Sequence, residues 1–213
     1  MNDQTLDDRQ YSINDLDEIF CRNPGSHLNF RMAFLCNSYE DFISIIDDAV
    51  SLIIRDMEAN PQHYAAMDED AITNSIIVNL KYCGLDAHHD SMQGGHTDIM
   101  ITGKKGYTWI AEAKIHKGYD WLFKGFQQLD TRYAAPAAGR DCAALVIYSD
   151  NMRVDQLLEN WKNHLKDKRP EVELFPTDED SLQFISTHNH IRNNRKITIR
   201  HFVASLYFNP KDK

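Results

Sequence analysis

Residues 98–115, DIMITGKKGYTWIAEAKI, leave the chain little freedom in how it folds. Two runs, Asp98–Gly103 and Tyr107–Ile115, flank Lys104-Lys105-Gly106. A three-residue connection ending in glycine predicts a β-hairpin whose type I turn is followed by a left-handed residue. Such a loop pairs Gly103 with Tyr107. Counting outward sets Asp98 opposite Glu112, with Lys114 on the same face. The other face then carries Ile99, Ile101, Trp109, Ala111, Ala113 and Ile115, all apolar. A slip of one residue would break both patterns, so the register that builds a core also gathers three charges.

Charges in the middle of an apolar strand are costly unless they are paired or used. Asp98 and Glu112 at opposed positions supply hard oxygen ligands, suited to Mg2+ or Mn2+ rather than to zinc, and the main-chain carbonyl of Ala113 adds a third donor. A cation there would polarise a phosphate and make bound water more acidic. Lys114 is placed to orient the attacking water or to offset charge in the transition state. The plainer alternative is an Asp98–Lys114 or Glu112–Lys114 ion pair with no chemistry.

Around the hairpin, apolar spacing predicts helices and strands in alternation. Phe42, Ile45, Ile46, Ala49, Leu52 and Ile53 recur every three or four residues from Tyr39 to about Met57, an amphipathic helix stopped by Asn60-Pro61. A second helix starts near Asp68, with Glu69 and Asp70 suiting its first turn and Gly84 its end. Asn23-Pro24-Gly25 marks a turn, residues 29–36 form a strand or short helix, and residues 85–93 read as a loop. A helix over 119–135 follows the hairpin, and its Trp121, Phe126 and Tyr133 read as core rather than as a base-stacking platform. CAALVIY (142–148) has the length and continuity of a strand covered on both faces. A helix over 152–166 and short strands at 172–175, 182–186 and 196–208 complete a mixed α/β sheet with helices packed on it.

Gly95-His96-Thr97-Asp98, the apolar hairpin into Glu112-Ala113-Lys114 and the helix carrying Gln128 resemble the PD-(D/E)XK nuclease superfamily over roughly residues 68–150. The resemblance implies a restriction-endonuclease-like mixed β-sheet core flanked by helices over residues 61–213, preceded by an N-terminal helical extension over 1–60. It implies that Asp98 and Glu112 hold Mg2+ or Mn2+, that Lys114 is the catalytic lysine and that Gln128 supports the site. Glu69 matches an acid that serves some members as an extra metal ligand, and otherwise reads as an ordinary first-turn acid. The implied function is a metal-dependent DNA endonuclease of bacterial defence or DNA processing. The rival is a catalytically silent module of the same fold, serving as a scaffold or regulatory subunit. Two departures stand out: threonine rather than proline precedes Asp98, and the chain is acidic.

The net charge of −9 bears on partners. Autonomous DNA binders expose a basic face, because phosphate neutralisation supplies much of the affinity. Here acids concentrate in residues 1–70, while Lys162, Lys166, Lys168, Arg169, Arg192, Arg195, Lys196 and Arg200 gather later. A protein partner that brings the DNA, or a homodimer that cuts both strands, would suit such a chain. The polar start MNDQTLDDRQ and the lack of a long apolar run read as a cytoplasmic protein with no membrane association. Cys21, Cys36, Cys83 and Cys142 are too dispersed for a zinc site and read as buried free thiols. His88, His89, Asp90 and His96 read as an exposed loop. No Gly-rich phosphate loop suggests an ATPase or a dinucleotide enzyme.

Overall fold

The computed structural model describes residue 28 and residues 31–92, 95–131, 136–177 and 182–211. Asn23-Pro24-Gly25, Cys21 and Tyr133 lie outside the described residues. Helix α1 (Tyr39–Ala59) opens on a capping box: Ser38 Oγ accepts from the Asp41 N–H at 3.1 Å, and Asp41 Oδ2 accepts from the Ser38 N–H at 3.0 Å. Helix α2 (Glu69–Tyr82) is capped by Asp68, whose Oδ1 accepts from the Ala71 N–H at 2.8 Å. Strands β1 (Asp86–Met92), β2 (Gly95–Thr102) and β3 (Thr108–Ile115) form an antiparallel meander. Helix α3 (Tyr119–Thr131) then leads to β4 (Cys142–Ser149), and helix α4 (Val154–Lys168) to β5 (Glu173–Pro176), β6 (Gln183–Asn189) and β7 (Lys196–Ser205).

The strands form one mixed sheet in the order β1-β2-β3-β4-β7-β6-β5, parallel at β3–β4 and β4–β7 and antiparallel elsewhere. Its centre is β4, and alternation along that strand feeds two cores. Ala144, Val146 and Tyr148 pack with Phe42, Ile45 and Ile46 of α1 and Ile72 and Ile76 of α2. Ala143, Leu145 and Ile147 pack with Leu122 and Phe126 of α3 and Leu157 and Trp161 of α4. The chain is thus mixed α/β, a seven-stranded sheet flanked by four helices. Among the described residues no helix is long and apolar enough to cross a membrane.

Three local expectations need correction. Residues 86–92 form an edge strand rather than a loop; Asp86-Ala87-His88-His89-Asp90-Ser91-Met92 is polar, as an edge strand tolerates, and Ala87 packs into the core. The hairpin turn has two left-handed residues, Lys105 (φ 61°) as well as Gly106 (φ 77°), so it is not a simple type I turn. The Lys105 ammonium donates to the Asn37 carbonyl at 3.0 Å, a contact that helps offset the cost of that backbone. Residues 31–35 form a single π-helical turn. Of the cysteines, Cys36 and Cys83 are buried free thiols and Cys142 is a half-buried one, its thiol pushed up to about 12 by burial and the charge of Asp141.

Candidate active site

The β2–β3 ladder runs from Thr102–Thr108 to Ile99–Ala111, and the Gly103 N–H donates to the Tyr107 carbonyl at 2.9 Å, the register that the alternation predicts. Beyond Ile99 the backbone ladder ends and side chains take its place. Asp98 Oδ2 accepts from the Ala113 N–H at 2.7 Å. Glu69, arriving from the first turn of α2, presents Oε2 to the Ile115 N–H at 2.7 Å. The edge of β3 would otherwise expose unpaired donors there, so two carboxylates serve as substitutes for a neighbouring strand.

These groups converge on one atom. The Lys114 ammonium donates to Glu112 Oε1 at 2.7 Å and to the Ala113 carbonyl at 2.9 Å, with Glu69 Oε1 at 3.5 Å and Asp98 Oδ2 at 3.7 Å. Glu112 is 1% exposed and Lys114 6%, whereas Asp98 and Glu69 are open to solvent at about a third of their side-chain surface (30% and 27%). Burial alone would lower the lysine pKa. The hydrogen bond and charge of Glu112, with the charges of Asp98 and Glu69, outweigh it and hold the ammonium above the ordinary lysine range. Lys114 therefore carries its proton at any pH near neutrality.

Residues that the sequence pattern did not single out fix this arrangement. Thr73 Oγ1 donates to the Glu69 carbonyl at 2.7 Å and lies 3.0 Å from the buried Tyr148 hydroxyl, tying the start of α2 to the end of β4. On the other face α3 crosses Lys114 at Gly125. A Cβ there would lie 3.0 Å from Lys114 Cγ and 3.1 Å from Leu145 Cδ1, so glycine is what allows the approach. A glycine inside a strongly amphipathic helix was the available signal. Gln128 sits one turn beyond Gly125, half-buried, and no hydrogen bond among the described residues ties it to the cluster. Of the predicted set, Asp98, Glu112, Lys114, Glu69 and Ala113 meet, and Gln128 stands apart.

Trp121 departs from its expected place in the core. It is 36% exposed in the first turn of α3, while Phe126 is fully buried. The ammonium groups of Lys114, Lys117 and Lys124 lie 5.8, 5.6 and 5.8 Å from its ring centroid.

Among the described residues no group of three or more histidine, cysteine, aspartate or glutamate side chains is arranged so that it could hold a metal ion. The donor set has the right chemistry for a hard divalent cation, since Asp98, Glu112, Glu69 and the Ala113 carbonyl offer only oxygen. What those oxygens share here is the Lys114 ammonium, so a cation would have to compete with it. No protein-family model matches the chain, and no curated protein or solved structure matches it at a significant level.

Proposed function

We propose that the chain is a Mg2+- or Mn2+-dependent nuclease that hydrolyses phosphodiester bonds of DNA. The observation that carries the reading is the convergence of Asp98, Glu112, Glu69 and the Ala113 carbonyl on Lys114 at the point where β2 leaves β3. The mixed sheet flanked by helices, with β4 parallel to β3, is compatible with that reading. A bound divalent cation would polarise the scissile phosphate and acidify its water. Asp98, Glu112, Glu69 and the Ala113 carbonyl would hold it. The backbone N–H groups of Ala113 and Ile115 fix the first and third of those side chains through one oxygen each, so both stay oriented. Lys114, kept protonated by its neighbours, offsets the charge that develops on the phosphate oxygens.

The experiment is plasmid cleavage by wild type, Lys114→Ala and Asp98→Asn with Mg2+ or Mn2+ and with EDTA. Metal-dependent nicking or linearisation, lost in both variants although Asp98→Asn remains folded, is the expected result. No cleavage of the plasmid or of single-stranded DNA under any condition would sink the DNA reading. A second reading, the silent scaffold, is favoured by one feature: the Lys114 ammonium already neutralises the donors a metal would use. It separates from the first by thermal unfolding. A nuclease gains melting temperature with Mn2+ through ligand linkage and loses that gain in Asp98→Ala; a scaffold shows no shift.

Gly125→Ala tests whether catalysis depends on the seat of Lys114. The helix gains about 1 kcal/mol in propensity, offset by crowding of Lys114 and Leu145. The melting temperature should hardly move, while cleavage drops about tenfold as the ammonium is displaced by a few tenths of an ångström. Unchanged cleavage would show that the position of Lys114 tolerates such a shift.

A further inference from the structure

Most of the cations that the sequence places late in the chain are already matched. Lys162 pairs with Glu159, Lys168 with Asp120, Arg169 with Asp130 and Glu171, Lys196 with Glu173 and Arg200 with Asp47, while Lys166 donates to the carbonyls of Pro170 and Val172. Lys117 and Lys124 differ. Both are exposed, and neither has a carboxylate partner among the described residues. Asp120, their nearest acid in sequence, turns away to His164 and Lys168 of α4. What Lys117 and Lys124 flank is the half-open ring of Trp121, whose centroid is also 5.8 Å from the Lys114 ammonium.

An exposed indole with cations beside it is what a single nucleic-acid strand requires: an aromatic face for a base and charges for the phosphates on either side. A base within a duplex is stacked on both faces and cannot use such a platform. From this geometry we infer that Trp121 stacks an unpaired nucleotide of a DNA strand next to the cleaved bond, with Lys117 and Lys124 on the flanking phosphates. The substrate class is then single-stranded DNA, or the unpaired end or flap of a duplex. The inference rests on the nuclease reading of the Asp98–Lys114 cluster, and it puts the phosphate-binding face of an acidic protein at one small patch beside that cluster.

The test is a binding measurement made in EDTA, which needs no cleavage. The chain has three tryptophans, and Trp109 and Trp161 are buried, so quenching of tryptophan emission by an added strand reports on Trp121. Oligo-dT should quench the emission and a blunt duplex should not. In a fluorescence-anisotropy titration of labelled oligo-dT, which does not depend on the indole, Trp121→Ala should weaken binding about tenfold and Trp121→Phe much less. Lys117→Ala with Lys124→Ala should reduce the slope of log affinity against log salt by about 1.4, at ~0.7 per phosphate of a single strand. Equal binding by wild type and Trp121→Ala, or a duplex bound as tightly as oligo-dT, would overturn the platform. Tighter binding of oligo-rU than of oligo-dT would overturn its assignment to DNA. Metal-dependent cleavage without quenching would discard the platform and keep the nuclease; quenching without cleavage of any nucleic acid would do the reverse.

Discussion

Lys114→Ala should cost the protein about 3–5 kcal/mol of folding stability, a loss that matches removal of one partner from a buried ion pair. The reason is Glu112. Its carboxylate is 1% exposed, lies beneath α3, and has the Lys114 ammonium at 2.7 Å. Without that cation the carboxylate loses the ammonium at 2.7 Å in a medium that solvates charge poorly. Asp98 and Glu69 are better placed to survive, since each faces solvent in part and keeps its backbone N–H donor. Glu112→Leu combined with Lys114→Met should therefore recover most of the loss, because a well-packed apolar pair often replaces a buried ionic one at little cost. Urea unfolding of Glu112→Leu, Lys114→Met and the double closes the cycle. A Lys114→Ala loss under about 1 kcal/mol would mark the pair as no stronger than a surface salt bridge. The double variant should bind no metal and cut nothing, which separates what the cluster does for function from what it does for folding.

What the sequence revealed of this site depended on periodicity. The register of β2 and β3 was legible because six apolar side chains must face one way, and a period of two allows a single solution; Asp98, Glu112 and Lys114 followed from it. The extents of α1 and α2 were legible for a similar reason, with Asn60-Pro61 ending the first and acids from Asp68 onward opening the second. Edge strand β1 was not, since Asp86-Ala87-His88-His89-Asp90-Ser91-Met92 shows no apolar alternation to read. Nor was the exposure of Trp121: helical spacing groups it with Leu122 and Phe126, but it sits half-open in the first turn of α3. The role of Glu69 was open because a first-turn acid is common, and only the departure of β2 from β3 gives it the Ile115 N–H to hold. Contacts between residues far apart in the chain, such as Asp47 with Arg200, carry no local signature at all.

The same is true of the cluster that anchors the far end of α3, and there the second large effect is expected. Asp130, 1% exposed in the last turn of α3, accepts from Arg169 Nη1 at 2.9 Å, lies 3.2 Å from His188 Nε2 and has His190 Nε2 at 3.9 Å. Burial alone would raise its pKa, but the hydrogen bonds and charges of His188 and Arg169 outweigh that and hold the carboxyl at about 2. A carboxylate whose pKa is lower in the folded than in the unfolded chain binds fewer protons when folded. Its stabilisation is therefore complete above about pH 4 and is lost as pH falls from there towards 2, a contribution of about 2–3 kcal/mol. Asp130→Asn keeps the shape, removes the charge and should cost about 3–5 kcal/mol at pH 7, because Arg169 and His188 keep their buried donors. It should also remove the share of the loss of stability between pH 4 and 2 that belongs to Asp130, leaving the share of other carboxyls held low, such as Asp155. A separate decline should persist from about pH 6.5 downward, because His201, buried against Phe184 and hydrogen-bonded between Trp161 and Ser186, is held near 3 chiefly by burial. Denaturation of both proteins across pH 2–7 distinguishes the two. If the Asp130→Asn curve parallels wild type below pH 4, the carboxylate titrates alike in the folded and unfolded chains and the cluster is not what holds α3 in place. If the curves converge there, the end of α3 is pinned by charge, and the helix that carries Gly125 and Trp121 over Lys114 has a fixed pivot.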